Sequence, residues 1–208
     1  MKPVYEPCLD LIDIFEARVR SALPQAQTLR GRIVRTRVAQ GQALFHAGAR
    51  ETRLFLVKAG VIKFAYMSED GVERVRDFIA EGQIAACVGA LAGNPVAAYS
   101  GIACQDAIVE SLDFAPICQL TKSEPLWARC VGLLLYDVTR NLDERERTLL
   151  TLTPSDRLAQ AIAERPWLLT RVSQRDLAAY IGITPVSLSR LKARTRRQVE
   201  AAAWFYSA

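Results

Sequence analysis

The sequence predicts an α+β protein built from three consecutive parts. Short β-rich pieces between glycine turns fill much of the first half, a long apolar stripe with helical period follows, and a block with helix-turn-helix spacing lies near the C terminus. With 208 residues, half of them hydrophobic, the chain can bury a conventional core. We expect a β-domain over residues 1–123, a long helix over 124–152 and a helical domain over 153–208.

The first part is predicted to contain one helix and an antiparallel sandwich or barrel. Asp70-Gly71 is the strongest hairpin signal, because this pair readily adopts the positive φ angles of a two-residue turn, and Ala59-Gly60 is a second candidate turn. Glycines recur at intervals of about eleven residues through this part, as expected for short antiparallel strands. Strands are predicted at residues 54–57, 61–67 and 75–79. The helix is predicted by an apolar stripe of Leu9, Ile12, Phe15 or Glu16, and Val19.

A long helix is predicted from about Glu124 to Leu150. Its apolar residues repeat nearly every seven positions while its last half is otherwise strongly charged, so a partner helix along the apolar side would form a parallel homodimer. The alternative is a helix packed only on its own β-domain. Thr153-Pro154 fits the N-cap and first residue of the next helix, which places a boundary near Leu152. The expected dimer-helix residues are Val131, Leu134, Leu135, Val138, Leu142 and Leu149.

The block from Gln174 to Lys192 meets the requirements of a helix-turn-helix. Ser173 and Asp176 form a capping box that opens a first helix, Gly182 ends it, and Thr184-Pro185 opens a second helix. The outer side of the second helix is small at its start and basic further on, which suits a major groove. The alternative is an ordinary helical hairpin in a core. The apolar residues expected at the helix crossing are Leu177, Ile181, Ile183, Leu188 and Leu191.

The distribution of charge favours a nucleic-acid partner. Residues 154–208 contain nine basic and four acidic residues, whereas the first 153 residues carry 18 of each sign. The net charge of +5 therefore lies entirely in the part that contains the helix-turn-helix. Such charge attracts phosphates through the release of counterions.

Composition and motifs argue against several other classes of protein. Five well-separated cysteines without a Cys-x-x-Cys pair suit reduced thiols in a cytoplasm. Acidic residues interrupt any signal-peptide pattern near the start, and Gly93-Asn94-Pro95 breaks the uncharged run of residues 82–105, so neither secretion nor a membrane span is expected. One histidine cannot build a barrel metal site, and no nucleophile elbow or Walker loop occurs. We expect no enzyme.

The order of the three parts and several motifs resemble the Crp/Fnr family of bacterial transcription regulators, over nearly the whole chain. This resemblance implies a double-stranded β-helix, or jelly-roll, domain of the cyclic-nucleotide-binding kind, a dimerisation helix and a helix-turn-helix domain. It further implies a homodimer that reads a palindromic site in double-stranded DNA, with RNA polymerase as a further candidate partner. The matching motifs are residues 41–48 (GQALFHAG), Leu54 to Val61 with its Lys58-Ala59-Gly60 turn, Asp70-Gly71, Glu81-Gly82-Gln83 and residues 182–190 (GITPVSLSR).

The resemblance also implies which residues face DNA. Ser173, Arg175 and Thr184 would touch phosphates, and Arg190 would meet a guanine edge. Family members commonly present a glutamate where this chain has Val186, so Val186 is expected to contact a thymine methyl and the operator to differ from the usual family half-site. The expected DNA-binding residues are Ser173, Arg175, Thr184, Pro185, Val186, Ser187, Ser189, Arg190 and Arg194.

The effector site departs from the pattern of the cyclic-nucleotide-binding relatives. Those relatives use a glutamate for the ribose and an arginine for the phosphate in the segment that corresponds to residues 82–105, and this chain has neither there. Burying a cyclic phosphate without a cation is costly. We expect no binding of cyclic AMP, while a neutral or apolar effector, or none, stays open. The candidate pocket residues are Gly82, Ala86, Cys87, Val88, Val96, Ala97 and Ala98.

No cofactor is expected. An iron–sulfur cluster needs closely spaced N-terminal cysteines and only Cys8 lies there, while His46 is the single histidine available to a haem. Redox sensing through Cys87 or Cys104 lacks a neighbouring cation in the sequence. Neither residues 163–172 nor residues 199–208 carry the signals of a wing, which is expected to be reduced or absent. The alternative function is a ligand-sensing regulatory subunit or scaffold without direct DNA readout.

Overall fold

A computed structural model describes residues 9–87, 89 and 94–194. Two short helices come first, α1 (Leu11–Val19) and α2 (Ala26–Arg30). The strands are β1 (Val34–Val38), β2 (Ala43–Phe45), β3 (Arg53–Ala59), β4 (Ile62–Met67), β5 (Glu73–Ile79), β6 (Ile84–Ala86), β7 (Ser100–Ala103) and β8 (Ala107–Asp113). The later helices are α3 (Phe114–Leu120), α4 (Pro125–Thr151), α5 (Pro154–Glu164), α6 (Leu168–Arg171), α7 (Gln174–Ile181) and α8, which covers residues 185–194 of the described part.

The strands form two antiparallel sheets that face each other as a jelly roll. One sheet has the order β1-β8-β3-β6 and the other the order β2-β7-β4-β5. Apolar side chains alternate inward along the strands and fill the space between the sheets, as the period of two requires. The α+β class and the antiparallel β-domain are thus as the sequence predicts.

The two glycine turns have different structural roles. Asp70-Gly71 lies in the loop that joins β4 to β5, and these strands pair as the predicted hairpin. Ala59-Gly60 is a turn but not a hairpin, because β3 and β4 belong to different sheets. Gly60 has φ +95°, and a Cβ atom there would lie 2.7 Å from Ala107 Cα, so only glycine fits this crossover.

The first helix packs between the β-domain and the long helix α4. The Asp10 carboxylate caps α1, and the rings of Phe15 and Trp127 meet edge to face at 6.1 Å. Trp127 Nε1 donates to the carbonyl of Pro24 at 2.8 Å, and Arg18 of α1 pairs with Asp137 of α4. The inner side of α4 therefore belongs to the core of its own subunit.

Helix α4 lies within one residue of its predicted bounds, and the following helix begins at the predicted residues. Pro125 occupies the first turn of α4, which has 27 residues, and Thr153 caps α5 by accepting from the Asp156 N–H. In the predicted linker, residues 163–172, the structure contains the short helix α6 in place of a strand pair. Residues 199–208, the other segment in which no wing is expected, lie outside the described residues. None of the described helices combines the length and the apolar character needed to cross a membrane.

Candidate nucleic-acid interface

The helix-turn-helix forms with the caps that its sequence predicts. Ser173 Oγ accepts from the Asp176 N–H at 3.0 Å and donates to the Asp176 carboxylate at 2.8 Å, which fixes the start of α7. Gly182 adopts the left-handed conformation with φ +81° and ends that helix. Thr184 Oγ1 accepts from the Ser187 N–H at 3.1 Å, which starts α8.

The two helices cross through small and apolar side chains. Leu177, Ala178 and Ile181 of α7 and Leu188 of α8 are buried, while Ile183 and Leu191 pack partly buried beside them. The opposite side of α8 is open, with Val186 61% exposed. All of the expected DNA-facing residues are exposed, namely Ser173, Arg175, Thr184, Pro185, Val186, Ser187, Ser189, Arg190 and Arg194.

The outer face of α8 keeps its positive charge. Among the residues that the structure describes, none of Arg175, Arg190 and Arg194 forms an ion pair with a carboxylate. Lys192 donates to Gln174 at 2.5 Å and so keeps its charge too. This surface can receive anionic phosphate oxygens without first breaking an internal ion pair. Arg196 and Arg197, which extend the basic run in the sequence, lie outside the described residues.

The helix-turn-helix is docked on the outer face of the β2-β7-β4-β5 sheet. Val75 and Phe78 of β5 share one buried cluster with Leu177 and Ile181 of α7. The rings of Phe78 and Tyr180 lie 5.3 Å apart. The buried apolar area makes this contact a packed interface that holds the orientation of α7.

Three ion-pair groups link the β-domain to the helical domain, and the sequence pattern does not reveal them. Lys63 Nζ lies 2.6 Å from carboxylate oxygens of both Glu73 and Asp176. Burial alone would lower the pKa of Lys63, but its hydrogen bonds to the two carboxylates outweigh burial and raise that pKa. The other two links are Arg165 with Asp77 at 2.6 Å and Arg171 with Glu81 at 2.5 Å.

These links correct the sequence-based interpretation of the basic tail. Arg165 and Arg171 count toward the basic excess of residues 154–208, but both guanidinium groups pair with carboxylates of the β-domain. Their charge is therefore largely neutralised inside the protein. Among the described residues of this tail, the exposed arginines without a carboxylate partner, Arg175, Arg190 and Arg194, lie on α8 and at the start of α7.

The Glu81–Arg171 link predicts a loss of stability in acid. Burial would raise the pKa of Glu81, but hydrogen bonds from Arg171 and from the Gly60 N–H outweigh it and hold the pKa below the ordinary 4.5. A carboxyl with a depressed folded-state pKa adds stability above its unfolded pKa and loses it as the pH falls through the folded value. We expect the melting temperature to fall more steeply between about pH 5 and about pH 3 in the wild type than in Glu81→Gln.

The control for this experiment is Glu69→Gln, which removes an exposed carboxylate in the loop that joins β4 to β5. This variant should keep the wild-type slope of melting temperature against pH. Identical slopes for the wild type and Glu81→Gln would show that the ion pair does not contribute to stability.

The structure divides the predicted dimer-helix residues between the two sides of α4. Leu134 is only 5% exposed in the core of its own subunit, which corrects its assignment to a dimer contact, and Val131 packs partly buried against the same core. Leu142 and Leu149 are 39% and 42% exposed.

The outer positions of α4 recur at alternating spacings of four and three residues, which is the period of a coiled-coil seam. We call this stripe the α4 seam; it consists of Ala128, Gly132, Leu135, Thr139, Leu142, Glu146 and Leu149. Of these, Leu135 also packs partly buried against the core that contains Leu134. Val138 lies half-buried beside it.

The candidate effector-pocket residues do not converge on one cavity. Cys87 and Ala97 are buried in the roll, and Ala86 accepts a hydrogen bond from the Tyr99 hydroxyl at 2.7 Å. Val96 and Ala98 are exposed, so their assignment to the pocket is wrong. Side chains of an extended segment alternate between its two sides, and here Ala97 points inward. Gly82 lies in the turn before β6, and Val88 lies outside the described residues.

Aromatic side chains fill the interior of the roll. Phe64 and Tyr99 lie 4.9 Å apart between ring centroids, and Phe45 lies 6.0 Å from each of Phe55, Phe64 and Tyr99. The guanidinium of Arg76 of β5, a residue outside the segment 82–105, stacks 4.5 Å over the Tyr99 ring. The interior is thus an apolar aromatic core with one guanidinium at its edge.

The thiols and the histidine offer little for redox or metal chemistry. Burial raises the pKa of Cys104 to about 12, which disfavours the reactive thiolate, and Cys87 is buried. Across residues 9–87, 89 and 94–194, no three His, Cys, Asp or Glu side chains come together as a metal site. His46 lies exposed after β2.

Similarity to known proteins is found among solved structures. No family model matches the sequence, and no curated protein matches it. Among solved structures, FixK2 from Bradyrhizobium japonicum is similar with a TM-score of 0.72 and 16% identity, covering 80% of this chain and 85% of that one. The c-di-GMP-responsive global regulator CLP from Xanthomonas campestris gives 0.65 and 16%, covering 81% and 88%. A CRP-family transcriptional regulator from Thermus thermophilus gives 0.62 and 18%, covering 78% and 85%. The chain therefore has the fold of the Crp/Fnr transcription regulators.

Proposed function

We propose that the protein is a sequence-specific DNA-binding transcription regulator that acts as a homodimer on a palindromic operator. The observation that carries this proposal is the outer face of α8, where Val186, Ser189, Arg190 and Arg194 are exposed together. A helix with small and basic side chains on its free side fits the width and the polar edges of a major groove. In this proposal Arg190 donates to a guanine and Val186 contacts a thymine methyl.

The dimer is proposed to form through the α4 seam. The inner side of α4 is covered by its own subunit, whereas Leu142 and Leu149 remain exposed at coiled-coil spacing. Parallel pairing of two such helices would place two copies of α8 on one side of the dimer. A two-fold symmetric protein of this kind reads half-sites whose centres lie about one helical turn apart. A strict monomer in sedimentation experiments would contradict this part of the proposal.

Cyclic AMP is not part of the proposed function. The rings of Phe45, Phe64 and Tyr99 pack on one another inside the roll, and residues 82–105 contain no cation to meet a cyclic phosphate. The resemblance to cyclic-nucleotide-binding relatives therefore extends to the fold and not to the ligand. The proposed regulator controls transcription by occupying its operator.

The salt dependence of duplex binding tests the proposal against a scaffold without DNA readout. Each phosphate neutralised by a basic side chain contributes about −0.9 to the slope of log K against log salt concentration. We expect a steep negative slope for the full-length chain on a duplex, and a shallower one when Arg194 is replaced by alanine. Binding that is absent, or that does not change with salt, would favour the scaffold.

A further inference from the structure

A small cleft opens where the β-domain, α4 and the helical domain meet. Its walls come from β5, from the last half of α4, from α5 and from Tyr180 of α7, and its volume is about 80 Å³. We call it the joint cleft. Four arginines line it, Arg76, Arg145, Arg157 and Arg165.

Only one of the four arginines has a carboxylate partner within the described ranges. Arg165 pairs with Asp77 at 2.6 Å. Arg145 donates to the carbonyl of Tyr180 and stacks 4.1 Å over the ring of that residue. Arg157 Nη1 donates to the carbonyl of Leu149 at 3.1 Å. These neutral partners satisfy hydrogen bonds but leave the charges uncompensated.

Arg157 also carries an unused donor. Its Nε atom is buried, and no atom of the described residues accepts its hydrogen. A buried donor without an acceptor is costly, and more so on a charged group. Burial lowers the pKa of Arg145, the charges of Tyr180 and Asp77 act in the opposite direction, and repulsion by Arg157 and Arg165 lowers it further. The protein thus gathers positive charge at a place where water is partly excluded.

The carboxylates of Asp77, Glu144 and Glu164 also line the cleft, so its four arginines leave an excess of one positive charge. Asp77 forms an ion pair with Arg165, and the Glu164 carboxylate accepts a hydrogen bond from the Gln160 amide at 2.7 Å. Glu144 lies 4.0 Å from Arg147 on the exposed side of α4. Within the described residues none of these carboxylates forms an ion pair with Arg145 or Arg157, while the guanidinium of Arg76 stacks over Tyr99.

We propose that the joint cleft binds a small oxyanion, a phosphate or carboxylate group, held chiefly by Arg145 and Arg157. The planar guanidinium presents paired donors that match the two oxygens of such a group. A cavity needs roughly 10–15 Å³ to hold one water molecule. The cleft of about 80 Å³ therefore has room for one phosphate or a small carboxylate. A nucleotide could place only its phosphate there.

The position of the cleft gives the bound anion a means of coupling the domains. An oxyanion held by Arg145 of α4 and Arg157 of α5 would connect the long helix to the first helix of the helical domain. Occupancy would then stabilise one orientation of the helix-turn-helix on α4. This regulatory consequence rests on the proposed function, whereas anion binding does not and can be measured without DNA.

The test is thermal denaturation of the full-length protein with increasing inorganic phosphate, at ionic strength held constant with sodium chloride. A ligand that binds only the folded state raises the melting temperature according to its affinity, and we expect a dissociation constant on the order of 1 mM or lower. Phosphate also stabilises proteins non-specifically through exclusion from their surface. The matched variants Arg157→Gln and Arg140→Gln separate the two effects.

We expect Arg157→Gln to weaken the phosphate-specific stabilisation at least ten-fold in apparent affinity. Arg140→Gln, which removes an exposed charge of α4 outside the cleft, should keep the wild-type response. Arg157→Lys retains the charge without the planar donors, so its apparent affinity for phosphate should lie between those of Arg157→Gln and Arg140→Gln. This variant keeps the test decisive if Arg157→Gln folds poorly.

Two results would overturn the proposal. One is an equal response to phosphate in the wild type, Arg157→Gln and Arg157→Lys, which would mark the stabilisation as non-specific. The other is an unchanged phosphate response combined with weaker self-association of Arg157→Gln, which would mean that a second subunit supplies the counter-charge. Neither result bears on DNA binding, so failure here is distinct from failure of the proposed function.

Discussion

Replacement of Lys63 by methionine is expected to lower the free energy of unfolding by about 3 kcal/mol, because removal of one partner leaves buried charges unpaired. Lys63 Nζ lies 2.6 Å from both Glu73 and Asp176, and all three side chains are mostly buried. Without the ammonium group two carboxylates would face each other at the contact between the β-domain and α7. Urea unfolding followed by circular dichroism measures the change.

Two comparisons give this prediction its controls. Arg74→Met removes a neighbouring exposed cation of β5 and should change stability by less than about 0.5 kcal/mol. Adding Glu73→Gln and Asp176→Asn to Lys63→Met should recover part of the loss, since the repelling charges are then gone. A loss below about 1 kcal/mol in Lys63→Met would show that solvent screens this group and that it does not hold the helix-turn-helix in place.

Replacement of Arg190 by alanine is expected to weaken binding to the operator by about 1–3 kcal/mol, or roughly 5- to 150-fold. The loss should be concentrated at one guanine of each half-site, because a guanidinium that donates to a base edge carries sequence information while phosphate contacts do not. Arg190 is exposed on α8. Its removal should therefore leave the unfolding free energy nearly unchanged.

Arg129→Ala is the matched control, since it removes an exposed arginine of α4 that lies outside the helix-turn-helix. It should bind the operator with wild-type affinity. Fluorescence anisotropy with the selected operator and with a duplex substituted at the guanine measures both affinity and specificity. If Arg190→Ala lowered affinity for all duplexes equally, Arg190 would be a phosphate contact and the proposed base contact would be wrong.

Local signals predict much of this fold because they act over a few residues. The Ser173 and Thr184 caps, the Gly182 helix end and the Asp70-Gly71 hairpin are all present as predicted. Each depends on hydrogen bonds or φ angles within about four residues of the signal. The long helix α4 follows for the same reason, since its apolar period extends over 27 residues.

Contacts between distant residues could not be predicted from one sequence. Lys63 and Asp176 are 113 positions apart, and Arg165 and Asp77 are 88 apart. Nothing beside Arg165 or Arg171 distinguishes them from the arginines of α8, so composition alone counts all of them toward DNA. Only the docking of α7 on β5 reveals that part of the basic charge is used within the protein.

The period of an element also does not show which neighbour covers each side. The apolar pattern of α4 identifies Leu134 and Leu142 equally, yet the first is buried in its own subunit and the second is exposed. In the same way the expected pocket segment mixes the buried Ala97 with the exposed Val96 and Ala98. The joint cleft needs the assembled domains, because its arginines come from three separate segments.

Selection of binding sites from random duplex DNA by the 208-residue protein shows whether two copies of α8 read successive major grooves. We expect an enriched motif with two-fold symmetry, whose half-site centres lie about one helical turn apart and which contains a guanine in each half. Enrichment of an asymmetric motif, or of none, would contradict the claim that two copies of α8 read successive major grooves.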